Sequence, residues 1–522
     1  MSGFKRYGAL LTAMIILCCS GCESSENMQS AVSKSGADIS DNEQGYAIDD
    51  EGFTLFDVDD NIQPVSYADK TKLVYLTNYD TQFTTTDDDP RIYDEAYIEN
   101  AVNEYLDKIG CDYYVDFVNN GEFDFKTGEV YPNLDKYETM LKDGEQVDIV
   151  NTGLGLETLG SYGDTYHIFV DRGYLTPFND YFETDRGQKL YKQFDEVVWQ
   201  QTACADGLIY GKSTDYALAQ PLVLSFYDDI CDEIGLDKSA VNTLSDLAPY
   251  LKIYADNGKA GLLLDSTNEL YYEMAGFCKF KGIYINVDTQ KAENIFKNES
   301  AIEYLKLIED YKNSGYIAGS VEQAKYFCSL SPAMPYLYDS TKIVSKGYLQ
   351  QEELNGVVGI SSDSENKDKA FEFLTMLSTD KELANIIYNG TEGRNYISEN
   401  GVKCLNKNAL PFYENYDSMA NTLITDSNSQ SDDKKADSMK ACWENSQVSP
   451  FYGLQISDEL SEKIDKIAAI NDEFYPLFYG DFGNYTTLDD ALSAANEKLS
   501  AAGIDDLLDE LNGQYSANKK II

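Results

Sequence analysis

Between residues 72 and 151 the sequence alternates strand patterns with helical patterns. Residues 72–77, 112–118 and 147–151 are short apolar runs, and the apolar residues between them recur at helical spacing until Gly110 and Gly144 end each helical stretch. Consecutive strands that are joined through helices pair in parallel, with right-handed crossovers. The pattern therefore predicts an α/β lobe with a largely parallel sheet.

Polar residues follow two of these strands at the points where the strands end. Tyr79 and Asp80 come after the first strand, and Asn151 and Thr152 close the third. Ligands of α/β proteins bind outside the carboxyl ends of the strands, so these four residues are candidate ligand-binding residues. Loop capping and turn chemistry are the alternative explanation for polar residues at such positions.

The length of the chain indicates more than one core. About 450 residues follow the polar N-terminal segment, whereas single cores stop growing at roughly 250–300 residues. An extended stretch at 211–227 is the candidate crossover between two lobes. We predict two discontinuous lobes. Lobe 1 comprises residues 71–212 and 341–400, and lobe 2 comprises residues 213–340 and 401–522. The polar stretch 421–440 predicts a surface insertion, and apolar spacing after Leu460 predicts a helical C-terminus.

The first 22 residues have the pattern of an export signal. Lys5 and Arg6 precede a short apolar run that ends at Ser20-Gly21-Cys22, and this run is too short to span a bilayer. The three final residues resemble the lipobox of bacterial lipoproteins, whose cysteine is acylated after cleavage. The resemblance implies a lipid anchor, such as palmitate, on Cys22 and a location on the extracytoplasmic face of the cell membrane. An uncleaved anchor and a plain secretory signal are the alternatives.

Residues 23–70 are rich in Ser, Asp, Asn and Glu and have no sustained periodicity. Such a composition cannot bury enough apolar surface to fold, so we predict a disordered tether. About 45 flexible residues have a root-mean-square reach of roughly 35–40 Å. A tether of this length lets a folded body work just above a membrane.

The charge of the chain excludes several classes of partner. The formal net charge is −49, from 90 acidic and 41 basic residues. Nucleic acids and anionic lipid surfaces both require basic patches, so neither is an expected partner. A solvated exterior explains the acidity, and recruitment of cationic ligands is the alternative.

The sequence contains none of the common motifs of metal or cofactor enzymes. It has one histidine, no GxSxG elbow, no phosphate-binding loop and no CxxC pair. The seven cysteines after Cys22 are widely scattered and odd in number, which favours free thiols. We therefore predict no metal and no cofactor, and we do not expect a cofactor-dependent enzyme.

Several motifs occur in an order that is typical of one protein family. They are YETMLKDG (137–144) running into VDIV (147–150), DGLIYG (206–211), NGTEGRNY (389–396), FYGL (451–454) and AAGIDD (501–506). In this order they resemble the lipid-anchored family 1 extracellular solute-binding proteins of ABC importers. The resemblance covers most of the chain after residue 72.

The resemblance implies a fold and a function. Members have a two-lobed, periplasmic-binding-protein-like type II α/β fold, and they bind ligand between the lobes. We therefore expect a monomer that captures a small solute for the permease subunits of an ABC transporter. Closure of the lobes on the ligand would shift the population towards the form that the permease recognises.

Aromatic residues make a sugar the favoured ligand. Tyrosine offers both a ring for stacking and a hydroxyl for hydrogen bonding, and the 41 Tyr outnumber 23 Phe and 2 Trp. Tyr271, Tyr272 and Trp443 lie in lobe-2 segments that resemble the aromatic cleft walls of the family. Glu392 and Arg394 follow a capped helix, and they either approach the hinge or the cleft or form a salt bridge that holds their loop.

Two other functions are compatible with these features. An exported carbohydrate-active enzyme, such as a glycoside hydrolase, would need two carboxyl groups at a fixed separation, and the 90 acidic residues do not single out a pair. A ligand sensor for a signalling partner would share the fold. Turnover of glycans separates the enzyme from a binding protein.

Overall fold

The strand–helix alternation predicted between residues 72 and 151 is present in the computed structural model of the protein. The structure describes residues 47–48, 54–55, 67–77, 94–119, 123–124, 129–130, 133–152, 165–204, 206–213, 221–264, 266, 268, 270–318, 326–332, 341–345, 348–349, 357–392, 396–399, 402–405, 419–426, 435–444, 446–448, 450–451, 454 and 456–518. The chain divides into two compact units, 1–58 with 407–409 and 59–406 with 410–522. The described part of the first unit is one antiparallel pair of strands.

Strands and helices are numbered here in chain order. The strands are β1 (Ala47–Ile48), β2 (Thr54–Leu55), β3 (Thr71–Thr77), β4 (Tyr113–Asn119), β5 (Phe123–Asp124), β6 (Glu129–Val130), β7 (Ile149–Asn151), β8 (Gly211–Lys212), β9 (Leu222–Phe226), β10 (Leu262–Leu264), β11 (Phe277–Phe280), β12 (Ile283–Asn286), β13 (Lys291–Ala292), β14 (Ile317–Ala318), β15 (Cys328–Pro332), β16 (Thr341–Ile343), β17 (Tyr348–Leu349), β18 (Val358–Ile360), β19 (Tyr396–Glu399), β20 (Val402–Leu405) and β21 (Gln447–Val448). The α-helices are α1 (Asp94–Lys108), α2 (Asn133–Asp143), α3 (Thr165–Asp171), α4 (Asn179–Phe182), α5 (Asp185–Tyr191), α6 (Glu196–Thr202), α7 (Asp228–Ile234), α8 (Ala248–Asp256), α9 (Glu299–Asn313), α10 (Lys367–Thr379), α11 (Lys381–Asn389), α12 (Lys435–Glu444), α13 (Asp458–Phe474), α14 (Leu488–Ala501) and α15 (Ile504–Asn518).

The first of two five-stranded sheets has the order β4-β3-β7-β18-β8. β3 pairs in parallel with β4 and β7, and β18 runs antiparallel to β7 and β8. Alternate residues of β3 enter different apolar clusters: Leu73 and Tyr75 lie in one, Val74 and Leu76 in the other. Successive side chains of a strand point to opposite faces, so this sheet is covered on both faces, as a largely parallel sheet requires.

Side chains of α1 bond to the outer edge of β4, the end strand of this sheet. The side-chain amide of Asn103 donates to the carbonyl of Val115 (2.7 Å) and accepts from the backbone N–H of Val115 (2.8 Å). The Glu99 carboxyl accepts from the backbone N–H of Phe117 (2.9 Å). Unpaired edge groups are a template for association with another chain, and these side chains satisfy them. Glu99 is buried, and this burial raises the pKa of its carboxyl to about 7.

A buried carboxylate joins three segments of the first sheet. Asp148 accepts hydrogen bonds from the backbone N–H of Val74 (2.8 Å) and from the side chains of Gln146, Ser364 and Asn366. These partners lie on β3, just before β7, and in the turn after β18. Burial of a carboxylate is tolerated when donors surround it, so this residue fixes the sheet to the turn that leads into α10.

The second five-stranded sheet has the order β14-β10-β15-β9-β16. β10 pairs in parallel with β14 and β15, and β9 runs antiparallel to β15 and β16. One apolar cluster extends from this sheet to α13, α14 and α15 and includes Ile464, Leu492 and Leu511. The predicted helical C-terminus is confirmed. Side chains of Ser457 and Thr487 cap α13 and α14 by accepting backbone N–H bonds.

Two segments differ from the predicted lobe boundaries. β16 falls in the range assigned to lobe 1, but it pairs with β9 of the second sheet. Trp443 on α12 falls in the range assigned to lobe 2, but its ring packs near Phe194 in an apolar cluster that also holds residues of the first sheet. The remaining lobe boundaries stay a prediction.

The prediction of a surface insertion at 421–440 is wrong at both ends. Asn421 is buried, and its side-chain amide donates to the carbonyl of Ser378 (3.1 Å). At the other end Met439 on α12 is buried, as are Cys442 and Trp443 just beyond the segment. Their i, i+3, i+4 spacing is an apolar helical face that the polar composition of the segment concealed. Among the described residues, no helix is long and apolar enough to cross a membrane.

Candidate functional site

The first sheet ends in a buried polar edge. β7 and β8 both run antiparallel to β18, so their carboxyl ends lie at the same edge. Asn151, Thr152, Lys212 and Ser213 stand there, and all four are buried. The Ser213 hydroxyl has no hydrogen-bond partner among the residues that the structure describes. The edge therefore concentrates buried polar side chains, and at least the Ser213 hydroxyl is not bonded within the described part of the chain.

The second sheet has a corresponding edge where β9 begins. β15 and β16 run antiparallel to β9, and β10 runs parallel to β15. All three strands therefore end at this edge. The backbone N–H of Leu222 donates to the Ser345 hydroxyl (2.9 Å), which in turn donates to the Glu273 carboxyl (3.1 Å). The side-chain amide nitrogen of Asn268, also buried, has no acceptor in the described part of the chain.

Glu273 is the most unusual group at the second edge. It lies in the 3-10 helix Tyr271–Ala275 and is 5% exposed. This burial raises the pKa of its carboxyl to about 8, against which the hydrogen bond from Ser345 acts only weakly. The carboxyl is consequently protonated at neutral pH, when it can donate as well as accept a hydrogen bond.

The two polar edges are adjacent along the chain. The polypeptide leaves the first edge after Ser213 and enters the second sheet at Leu222. A second connection runs the other way, from Ser345 after β16 to Val357 before β18. Both connections start and end at the polar edges, so these edges are the candidate site.

Among the predicted site residues, Asn151 and Thr152 lie at the first edge. Thr152 uses its hydroxyl and its backbone N–H on the carbonyl of Val357, at 3.0 and 2.9 Å. Its side chain therefore helps to join β7 to β18. Tyr79, Asp80 and Arg394 lie outside the described residues.

Tyr271 and Tyr272 lie in the core of the second lobe, with exposures of 0% and 1%. The Tyr271 hydroxyl donates to the carbonyl of Leu330 (3.1 Å). The Tyr272 ring lies 5.5 Å from the Lys279 ammonium and makes an edge contact with Tyr284. Neither ring presents an open face for stacking on a ligand in this structure, because core packing covers both. Their role in binding stays a prediction.

Trp443 and Glu392 have opposite environments. Trp443 is 5% exposed, and its indole N–H has no acceptor among the described residues. Glu392 is exposed and forms an isolated bridge with Tyr396. Trp443 therefore lies in the apolar cluster that also holds residues of the first sheet, and its role in binding stays a prediction.

Sequence reasoning missed Glu273, Ser345 and Lys212. Glu273 directly follows Tyr271-Tyr272, yet nothing local marks a glutamate in a 3-10 turn as buried. Lys212 directly follows the DGLIYG motif (206–211), yet nothing local marks this lysine as buried. Ser345 gains its role only through a partner 123 positions away.

The edges are suited to hydrogen bonding rather than to metal chemistry. In the described part of the chain, no group of three or more His, Cys, Asp or Glu residues could hold a metal ion. The groups at the two edges are two side-chain amides, hydroxyls, a lysine side chain and a carboxyl whose pKa burial raises to about 8. Such a set can orient a neutral ligand that is rich in hydroxyl groups.

Comparison with known proteins supports the fold. No family model matches the sequence. A carbohydrate ABC transporter substrate-binding protein of Streptococcus pneumoniae is 23% identical over 472 residues, which cover 83% of this chain and 90% of that protein.

Several solved structures match most of the chain, at 86–87% of its length. The N-glycan transport solute binding protein of Streptococcus pneumoniae matches with a TM-score of 0.61 and 19% identity, over 86% of this chain and 99% of that one. The same protein in complex with Man1GlcNAc matches with a TM-score of 0.51 and 18% identity, over 86% and 100%. An extracellular solute-binding protein of Bifidobacterium longum subsp. infantis matches with a TM-score of 0.51 and 12% identity, over 87% and 100%.

These matches and the two sheets define the class of fold. The chain has the two-lobed α/β fold of solute-binding proteins with a helical C-terminus, as predicted. Within that class, the chain is similar to the streptococcal carbohydrate and N-glycan transport proteins named above.

Proposed function

We propose that this protein captures a sugar or oligosaccharide outside the cell for import by an ABC transporter. The observation that carries the proposal is the shared fold, which extends over 99% of the N-glycan transport protein. The curated relative, itself named as a carbohydrate ABC transporter substrate-binding protein, supports the same class of ligand. In this proposal the protein binds and releases its ligand without chemical change.

The ligand lies, in this proposal, at the polar edges of the two sheets. Asn151 and Ser213 contribute from the first edge, and Asn268 and Glu273 from the second. Sugars present several hydroxyl groups that both donate and accept hydrogen bonds, which matches this mixture of amide, hydroxyl and carboxyl groups. The loops that continue from each edge, including Tyr79 and Asp80, complete the proposed site.

The proposal also includes the place where the protein acts. The residues Ser20-Gly21-Cys22 support a lipid anchor on the outer face of the cell membrane. A monomer on a tether would present its ligand to permease subunits in the same membrane. The strongly acidic composition supports a body that stays in solvent above the lipid surface.

A ligand screen tests the proposed function. We expect mono- and oligosaccharides, with Man1GlcNAc among them, to raise the melting temperature, and calorimetry to give one site per chain. Peptides and polyamines serve as controls of other ligand classes. Chromatography of each sugar after long incubation should return it unchanged, and conversion into products would support the glycoside hydrolase instead.

The anchor has a separate test. In cells, the variant Cys22→Ser should be released from the membrane fraction, because it lacks the thiol that is acylated. Cys18→Ser and Cys19→Ser serve as matched controls and should stay membrane-bound. Retention of Cys22→Ser in the detergent phase of a partition assay would contradict the lipoprotein proposal.

A further inference from the structure

The connections between the two lobes are tied to one another at the second sheet. The first connection enters β9 at Leu222, and the second leaves β16 through Val344 and Ser345. The backbone N–H of Val344 donates to the carbonyl of Leu222 (2.9 Å), and the backbone N–H of Leu222 donates to the Ser345 hydroxyl (2.9 Å). Further along, β17 of the second connection pairs in parallel with β21, which follows α12. The second connection is therefore bonded to the first at Leu222 and to β21 further along, so it is not an independent linker.

Ser345 joins the second connection to the core of the second lobe. Its hydroxyl accepts from Leu222 and donates to Glu273 (3.1 Å). A serine hydroxyl has only one proton, so the donation to Glu273 fixes the direction in which its lone pairs face Leu222. Glu273 thus orients the serine, and the serine in turn orients the connection.

Glu273 is itself held rigidly. Its 3-10 helix is bonded to the C-terminal region through the Tyr475 hydroxyl, which accepts from the backbone N–H of Tyr271 (3.1 Å) and donates to the carbonyl of Asn268 (2.7 Å). The Tyr271 hydroxyl bonds to β15 at Leu330. These bonds hold the Glu273 carboxyl in a fixed position, from which it can orient the Ser345 hydroxyl.

We propose that Glu273 and Ser345 form a hinge latch, in which the Ser345 hydroxyl ties both connecting segments to the core of the second lobe and so limits how far the lobes open. Glu273 is then a positioning residue that acts through Ser345. The inference rests on the two-lobed fold and is independent of the identity of the ligand.

The latch has a clear consequence for the ligand-free protein. Hinge motion of two lobes requires a few residues at the connections to change their backbone angles. Bonds from Ser345 to Leu222 and Glu273 restrict the place where this change occurs to residues outside the latch. Loss of the latch extends the flexible region into the start of β9 and favours wider openings.

Distances between the lobes in the ligand-free full chain test the latch. Positions 108 on α1 and 252 on α8 are exposed, so they can carry labels through a genetically encoded amino acid, which avoids labelling the ten native cysteines. In Ser345→Ala and Glu273→Ala we expect the distribution of distances between the lobes to shift and broaden towards larger values, because the flexible region then extends into the start of β9. Ser345→Thr and Glu273→Gln keep the hydroxyl and the acceptor, so they should retain the native distance distribution.

A matched control separates the latch from general destabilisation. Ser457→Ala removes another serine hydroxyl of the second lobe, the cap of α13, and should leave the distances unchanged. Melting temperatures of all variants show that each is folded. An unchanged distribution in folded Ser345→Ala would overturn the latch, and so would an equal shift in Ser457→Ala. If Glu273→Ala does not fold, Ser345→Ala alone decides the question. Neither result depends on sugar binding, so failure of the latch and failure of the proposed function are distinguishable.

Discussion

Each of the two sheets buries a carboxyl group, and the two groups have contrasting surroundings. In the first sheet, Asp148 accepts hydrogen bonds from one backbone N–H and three side chains. In the second, Glu273 accepts a hydrogen bond from the Ser345 hydroxyl (3.1 Å), and burial raises the pKa of its carboxyl to about 8. The acceptor positions of Asp148 are occupied by donors within the fold. Glu273 has fewer hydrogen bonds, so its carboxyl can still bond to other groups at the second edge. The comparison separates a structural carboxylate from a candidate functional one.

The largest expected effect concerns Asp148. Asp148→Ala leaves several buried donors without an acceptor, so we expect the free energy of unfolding to fall by about 4 kcal/mol. Urea titration followed by circular dichroism measures the change. Asp107→Ala, which removes an exposed carboxylate paired with Lys70, is the control and should cost less than about 1 kcal/mol. A loss as small as that of the control would mean that Asp148 does not organise the first sheet.

Trp443 extends the comparison to the apolar cores. Trp443→Ala empties a buried indole site in the first-sheet cluster, so it should cost about 3 kcal/mol of stability. Melting temperature and urea titration measure this loss. Calorimetry with the best sugar from the screen should give an unchanged affinity in the folded variant. A weaker affinity with little loss of stability would instead restore Trp443 as a ligand contact.

Glu273 should make stability depend on pH in a defined direction. Its pKa is about 8 in the folded protein, above the ordinary value of 4.5, so the unfolded chain releases this proton first. Its contribution to stability is therefore greatest at low pH and falls as pH rises from about 4.5 to 8. Between pH 6 and pH 9 we expect Glu273→Gln to gain about 2 kcal/mol relative to the native chain. A constant difference between the two chains across this range would contradict the raised pKa.

Glu99 provides a matched carboxyl in the first lobe with a smaller expected effect. Its pKa of about 7 places the same loss of stability at lower pH. Glu99→Gln keeps an acceptor for Phe117 and should gain about 1 kcal/mol relative to the native chain between pH 6 and pH 9. Thermal melts at half-unit pH steps should show that its effect levels off about one pH unit before that of Glu273→Gln. Reversed order would mean that burial is deeper at Glu99.

The fold was predictable from sequence because its evidence is local. Gly110 and Gly144 end the first two helices with φ angles of +84° and +73°, a conformation that glycine adopts at little cost. Asp380 caps α11 by accepting from two backbone N–H groups, as an acidic residue ahead of an apolar pattern indicates. Such features involve neighbours within a few positions, so the sequence displays them directly.

The site was much less predictable because its contacts are distant along the chain. Glu273 meets Ser345 across 72 positions, and Ser345 meets Leu222 across 123. No periodicity encodes such pairings. The aromatic residues were ambiguous for a related reason: Tyr271 and Trp443 are large enough to line a cleft or to fill a core, and only the packing of the helices decides between the two.

Both tryptophans of the chain, Trp199 and Trp443, belong to the first-sheet cluster and so to the first lobe. Selective excitation of tryptophan therefore gives emission from the first lobe, and the second lobe contributes none. Emission from the native chain reports unfolding of the first lobe, while circular dichroism reports both lobes together. If the two lobes unfold separately, the two spectroscopic curves will diverge without any label having been attached.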